Sequence, residues 1–238
     1  MSYWGYSSYV SVDEQMPMAE AYIQKARKKG TLIDPVIADD FRRKICSTWW
    51  GDAWCRNLER YSDFSNRLPR GRRYVKNGFV LDLQIQKGVI EGLVQGTTRK
   101  PYNVVVHIDP LHLNVAARIQ ERCEFGISSL DALVNGQFPK DLQDLFASKE
   151  GLFPGPHEIH FDCSCPDGAS MCKHVAAVMY GTALRLEERP LLLFELGGID
   201  PQSLVEKAIE NRLEQMLKNA DRPSSRILTE NVGDLFGI

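Results

Sequence analysis

The chain has 238 residues, 43% of them hydrophobic and 25% charged, with a formal net charge of −2. That length buries a substantial core in one large or two small domains, and the composition is ordinary for a soluble globular protein. No apolar run approaches the roughly 18 residues that cross a bilayer. The opening Met1-Ser-Tyr-Trp-Gly-Tyr6 lacks the basic and apolar regions of a signal peptide, so a cytoplasmic protein with no membrane partner is expected. The charge is uneven: residues 1–110 hold 17 Lys/Arg against 12 Asp/Glu, whereas residues 111–238 hold 12 against 19. A basic half joined to an acidic half permits an anionic partner without requiring one.

Residues 1–16 read as an aromatic, serine-rich arm. Pro17 to Lys29 reads as a helix, with Pro at its start, basic residues in its last turn and Gly30 past its end. Residues 31–47 are irregular or briefly extended. Trp50, Ala53, Trp54, Leu58 and Tyr61 recur at helical spacing after a cap at Ser47 or Thr48, which favours a buried face over a base-stacking one. Between Arg60 and Lys76, six basic residues stand against Asp63, and Pro69-Arg70-Gly71 suggests an exposed turn. Phe79–Gln86, Val89–Gln95 and Tyr102–Ile108 form an antiparallel meander of three strands. Helical patterns follow at 111–124, 128–135 and 139–147.

The densest signal lies at Cys163-Ser-Cys165-Pro-Asp-Gly-Ala-Ser-Met-Cys172-Lys-His174. His157 to Cys163 alternates as a half-buried strand does, so Cys163 and Cys165 share a face with Ile159 and Phe161, and His160 lies opposite. Pro166 ends the strand and Asp167-Gly168 turns the chain. Val175 to Tyr180 opens a helix that runs to about 187, placing Cys172 and His174 at its first turn, where free backbone N–H groups meet thiolate sulfur. Three thiolates and a neutral imidazole fill a tetrahedral zinc shell with no vacancy, the mark of one structural Zn²⁺ rather than a catalytic one. Cys46, Cys55 and Cys123 read as isolated buried thiols. Asp200-Pro201 starts a further helix with Leu204, Val205, Ala208, Ile209, Leu213, Met216 and Leu217 on one face, and residues 221–238 form a polar tail ending in Leu-Phe-Gly-Ile238.

The cysteine–histidine motif resembles the SWIM zinc finger, found in bacterial relatives of helicase-like ATPases, Mutator-type transposases and eukaryotic recombination factors. The resemblance extends over about residues 45–238. It takes in Thr48-Trp-Trp-Gly-Asp-Ala-Trp-Cys-Arg-Asn-Leu-Glu, the segment Tyr61 to Gly78, the meander with Val94-Gln-Gly96 and Pro101-Tyr102, and Leu191 to Phe194. Gly168 departs from it, since many members carry Trp there. The resemblance implies a nucleic-acid or protein interaction module, associated with helicase-like DNA-translocating ATPases and carrying no transferable catalytic residues.

The expected fold is α+β: an antiparallel β-meander packed with helices, plus a zinc-stapled strand–knuckle–helix element. The expected divisions are 1–44 (arm and helix), 45–110 (Trp-rich helix, basic loop, meander), 111–156 (helical), 157–190 (finger), 191–220 (C-terminal helix) and 221–238 (tail). Arg67, Arg70, Arg72, Arg73 and Lys76 are the candidate phosphate contacts, on DNA or RNA, because clustered arginines neutralise phosphates and release counterions. No motif for reading bases accompanies them. A zinc-stabilised, non-catalytic adaptor for nucleic acid, a helicase-like ATPase or both is the first reading. A purely protein–protein scaffold is the second, and a nuclease using Asp82 and Glu91 the third. No small-molecule substrate is evident.

Overall fold

The computed structural model describes residues 10–37, 45–60, 66–126 and 151–220. The helices expected at 128–135 and 139–147, the thiol of Cys123 and the tail at 221–238 lie outside them. The elements are α1 (Val12–Lys28), α2 (Trp49–Glu59), α3 (Leu68–Lys76), β1 (Val80–Gln86), β2 (Val89–Val94), β3 (Tyr102–Ile108), α4 (Leu113–Gly126), β4 (Ile159–Cys163), α5 (Lys173–Glu188), α6 (Leu192–Leu196) and α7 (Pro201–Ala220). The fold is α+β, as the sequence indicates.

The strands form one antiparallel sheet in the order β1-β2-β3-β4. Lys87-Gly88 joins β1 to β2, with Gly88 at φ +69° supplying the left-handed turn. The strand before the cysteines extends the meander along β3, Val104 facing Cys163 and Ile108 facing Ile159. A register shift between Val80 and Asp82 marks a bulge, so that the consecutive apolar residues Val80 and Leu81 are both buried. Below it the alternation holds: Leu83 and Ile85 face inward, Gln84 and Gln86 outward.

Helix α5 lies against the inner face of this sheet. Every residue from His174 to Leu186 is buried, as expected of a helix surrounded by protein. It crosses β2 so closely that a Cβ on Gly92 would stand 2.4 Å from Val178 Cγ2. Helix α2 seals α5 from outside, with Trp50 Nε1 donating to the Leu186 carbonyl and Trp54 Nε1 to that of Met179, each at 2.9 Å. The indoles supply apolar area while both N–H groups are satisfied, so the tryptophans are core and not a stacking platform.

Two boundaries differ from the sequence expectation. Helix α1 begins at Val12, because Ser11 and Glu14 form a capping box: Glu14 N–H donates to Ser11 Oγ at 3.3 Å and Ser11 N–H to the Glu14 carboxylate at 2.7 Å. Pro17 therefore sits inside the helix. The basic segment is the helix α3 rather than an exposed turn. Pro69 stands in its first turn, where a missing N–H costs nothing, and Leu68, Tyr74 and Val75 bury its inner face. Cys46 and Cys55, expected to be apart, are neighbours. The thiol of Cys55 hydrogen-bonds that of Cys46 and, with burial, pushes Cys46 well above the ordinary thiol range.

A Cβ on Gly71 would lie 2.6 Å from Ala176 Cβ and 2.8 Å from the Ala176 carbonyl carbon, backbone that cannot yield. Gly71→Ala is expected to cost about 1–3 kcal/mol through overpacking, read as a lowered thermal midpoint. Gly168→Ala, with nothing within 4 Å of its Cβ position, should leave that midpoint in place.

Candidate metal centre

Cys163 closes β4, and Cys165 follows on the same side before Pro166 turns the chain. Cys172 is the N-cap of α5, and its sulfur accepts the Val175 N–H at 3.5 Å. His174 lies in the first turn of α5. One ligand atom from each of Cys163, Cys165, Cys172 and His174 lies within 4.8 Å of all the others. His174 Nδ1 stands 3.9 Å from Cys163 Sγ and 3.7 Å from Cys172 Sγ. Zn–S bonds of about 2.3 Å and Zn–N bonds of about 2.0–2.1 Å give tetrahedral S···N edges of about 3.6 Å, so the donor set fits one four-coordinate zinc ion. His160 is exposed on the opposite side, 3.5 Å from Asp109, and takes no part.

The knuckle is held from several directions. Ser164 N–H donates to the Asn103 carbonyl at 3.0 Å, and Asn103 N–H to Ser164 Oγ at 2.9 Å, fixing it to β3. Asp167 accepts the Ala169 N–H and the guanidinium of Arg67, the latter at 3.1 Å, fixing it to α3. With Nδ1 turned to the thiols, the remaining proton of a neutral His174 sits on Nε2. That nitrogen is buried without a hydrogen-bond partner, beside Gly96 and the ring of Tyr102, whose centroid lies 4.7 Å from the imidazole's.

Charge in the cluster is shared unequally. Hydrogen bonding from Cys163, with the His174 ring and the Val175 N–H, holds the Cys172 thiol down to about 3. Cys163 is raised, chiefly by its hydrogen bond to Cys172 and by burial, and Cys165 is raised by burial. Cys172, at the positive end of the α5 dipole, is thus the thiol of the three that ionises most readily, and Cys163 and Cys165 hold their protons more tightly.

The structure places the basic residues unevenly. Arg67 pairs with Asp167, and Arg72 turns inward to pair with Glu59 and lie over the Tyr180 ring at 5.1 Å. Arg70, Arg73 and Lys76 are exposed at steps of three along α3, and no carboxylate among the described residues pairs with them. Lys173, exposed less and set over the Tyr74 ring at 5.5 Å, joins the same side. Reading the basic segment as a turn hid this stripe; its three-residue spacing was the available signal. Asp82, a candidate carboxylate of the nuclease reading, accepts the Asp34 N–H at 2.7 Å and the Gln84 amide at 2.9 Å. It therefore ties the segment before α2 to the sheet.

Structural zinc supplies on the order of 10 kcal/mol to folding, so Cys172→Ser should lose the metal and aggregate, as followed by metal analysis and light scattering. Because the raised thiols of Cys163 and Cys165 compete for protons, zinc retention against a chelator should fall as the pH is lowered. Cobalt exchanged into the site should show the visible bands of tetrahedral thiolate coordination. A pH-independent affinity would contradict the assignment of these thiols as ligands.

The SWIM zinc finger model matches residues 162–180, a span that holds all four ligands. Among curated proteins, the uncharacterized protein Rv2102 of Mycobacterium tuberculosis is 33% identical over 188 residues, which cover 78% of this chain and 68% of that one. No solved structure matches. No helix among the described residues is long and apolar enough to cross a membrane. A relative shared along most of the chain and a family match centred on a zinc-competent knuckle lead to one conclusion: the chain belongs to the SWIM zinc finger family and binds one structural zinc ion.

Proposed function

We propose that this protein is a non-catalytic, cytoplasmic adaptor that holds nucleic acid, DNA or RNA, against the outer face of α3. The observation that carries the reading is the stripe Arg70, Arg73 and Lys76, exposed and without acidic partners among the described residues, on a helix packed along the zinc-bearing α5. Uncompensated exposed cations at one-turn spacing are the footprint of phosphate contacts. Arg67 and Arg72 contribute less directly: one fixes the knuckle and the other fixes α3 to α2. A ligand set of three thiols and one imidazole supports the non-catalytic part, since it leaves zinc no position for water or substrate. The link to a helicase-like ATPase rests on the family resemblance.

A second contact surface is favoured by α7. Leu204 is fully buried and Val205 packs on the core, but Ile209, Leu213, Met216 and Leu217 are 50–68% exposed. An apolar stripe of that kind suits a groove in a partner protein, here the proposed ATPase.

Filter binding across a salt series tests the nucleic-acid reading. Retention should fall with a slope of roughly 0.7–0.9 per phosphate contacted. Arg70→Glu with Arg73→Glu should remove about two contacts' worth of slope while zinc content is unchanged. Salt-insensitive retention, or none at low ionic strength, would sink it. For α7, Leu213→Glu with Leu217→Glu should change stability by about 0.5 kcal/mol or less, as exposed positions do. A clear drop in thermal midpoint would show that the stripe is covered within the chain.

A further inference from the structure

Beside the metal knuckle, α1, α3 and the turn after β2 enclose a cavity of about 520 Å³. This is well within the range of small-molecule sites, about 300–1,000 Å³. Three kinds of group meet there. Arg70, Arg73 and Lys173 line it as cations, and no carboxylate among the described residues pairs with them. The one acid on its wall, Asp167, is engaged by Arg67. Tyr102 adds a half-buried aromatic ring.

The wall also carries two polar groups that the protein leaves unpaired. Gln15 is 5% exposed, and its Nε2 donates to the Val10 carbonyl at 2.9 Å, which fixes the amide orientation and leaves Oε1 as an acceptor without a donor. His174 is 3% exposed, and with Nδ1 committed to the zinc shell its Nε2 is a donor without an acceptor. Metal-bound histidines almost always give that second N–H to a partner, and buried unpaired polar groups call for an explanation.

We infer that this cavity is a nucleotide subsite, taking one nucleoside phosphate with its phosphate on Arg70, Arg73 and Lys173 and its base against Tyr102. The ligand class follows from the mixed polarity of the wall. A phosphate alone would satisfy the cations but set its negative oxygens against Gln15 Oε1. An apolar ligand would strand every cation. A nucleobase offers ring and exocyclic donors to Gln15 and acceptors to His174, and every base has a π-face for Tyr102. The inference deepens the nucleic-acid reading and rests on it for one source of the nucleotide, a single strand; a free mononucleotide is the other.

The experiment compares, by fluorescence anisotropy at low salt, a short deoxyadenosine strand with an abasic deoxyribose-phosphate strand of equal length, with adenosine monophosphate as competitor. The base-bearing strand should bind roughly tenfold tighter, the size of one base–aromatic stack. Thr97→Trp, which fills the cavity and removes no cation, should abolish that difference while abasic binding and zinc content stay unchanged. Displacement by the mononucleotide would identify the free nucleotide as a ligand, and failure to displace would identify the strand. Equal binding of both strands by the unaltered protein, with no mononucleotide bound, would overturn the subsite and leave the phosphate reading intact. Binding of the mononucleotide but of neither strand would uphold the subsite and overturn the nucleic-acid reading. Binding of none of the three would overturn both.

Discussion

The closure of four side chains around one ion at the start of α5 is the constraint on which the rest depends. Two of the ligands, Cys172 and His174, begin the most buried helix among the described residues, and Cys163 ends an edge strand of the sheet. Among the described residues that strand pairs on one side alone, with β3, and the terminus of an edge strand frays readily. The ion converts that terminus into a covalently bounded corner. The N-terminal dipole of α5 favours the negative charge that three thiolates and Zn²⁺ leave behind, and the bond from Val175 N–H to Cys172 sulfur places part of that charge where the dipole is strongest. Metal, strand end and helix start therefore stabilise one another.

From this corner the packing runs outward in a chain of close contacts. Glycine permits two of them: Gly71 brings α3 onto the backbone of α5, and Gly92 brings β2 onto Val178. The tryptophans of α2 then close α5 from the remaining side through hydrogen bonds to its backbone carbonyls. At Gly71 and Gly92 the approach is so close that a Cβ would meet α5 at 2.6 Å or less. Its position is accordingly set by packing along its length as well as by the ion at its end.

The sequence was most legible where period and chemistry coincide. The meander was readable because alternation, Gly88 and the turn before Pro101 all agree, and β3 came out with its ends unchanged. The ligand set was readable because Cys-x-Cys on a strand puts both sulfurs on one side and Cys-x-His opens a helix. The start of α1 was misplaced because Pro17 is the more conspicuous signal, yet Ser11 and Glu14 satisfy backbone donors that a start at Pro17 would leave open. The α3 segment was misread for a related reason: Pro and Gly are turn residues in isolation, but here Pro69 starts a helix and Gly71 is small so that α5 can approach. The pairing of Cys46 with Cys55 depends on how the chain enters α2, which no spacing rule specifies.

The five basic residues of the α3 segment were equivalent in the sequence and are not equivalent in the fold. Arg72 points toward Glu59 and Tyr180 and Arg67 toward Asp167, so their charges are spent within the protein. Surface ion pairs of this kind contribute little to stability, about 0–1 kcal/mol, but they fix two side chains and leave a one-sided surface. Among the described residues, Arg70, Arg73 and Lys76 on α3 and Lys173 at the start of α5 are left without an acidic partner. A net charge of −2 for the whole chain hides this local excess, and only the local excess is felt within a Debye length of about 10 Å. Under the proposed nucleic-acid reading, an anionic partner meets this local excess of positive charge beside the zinc knuckle.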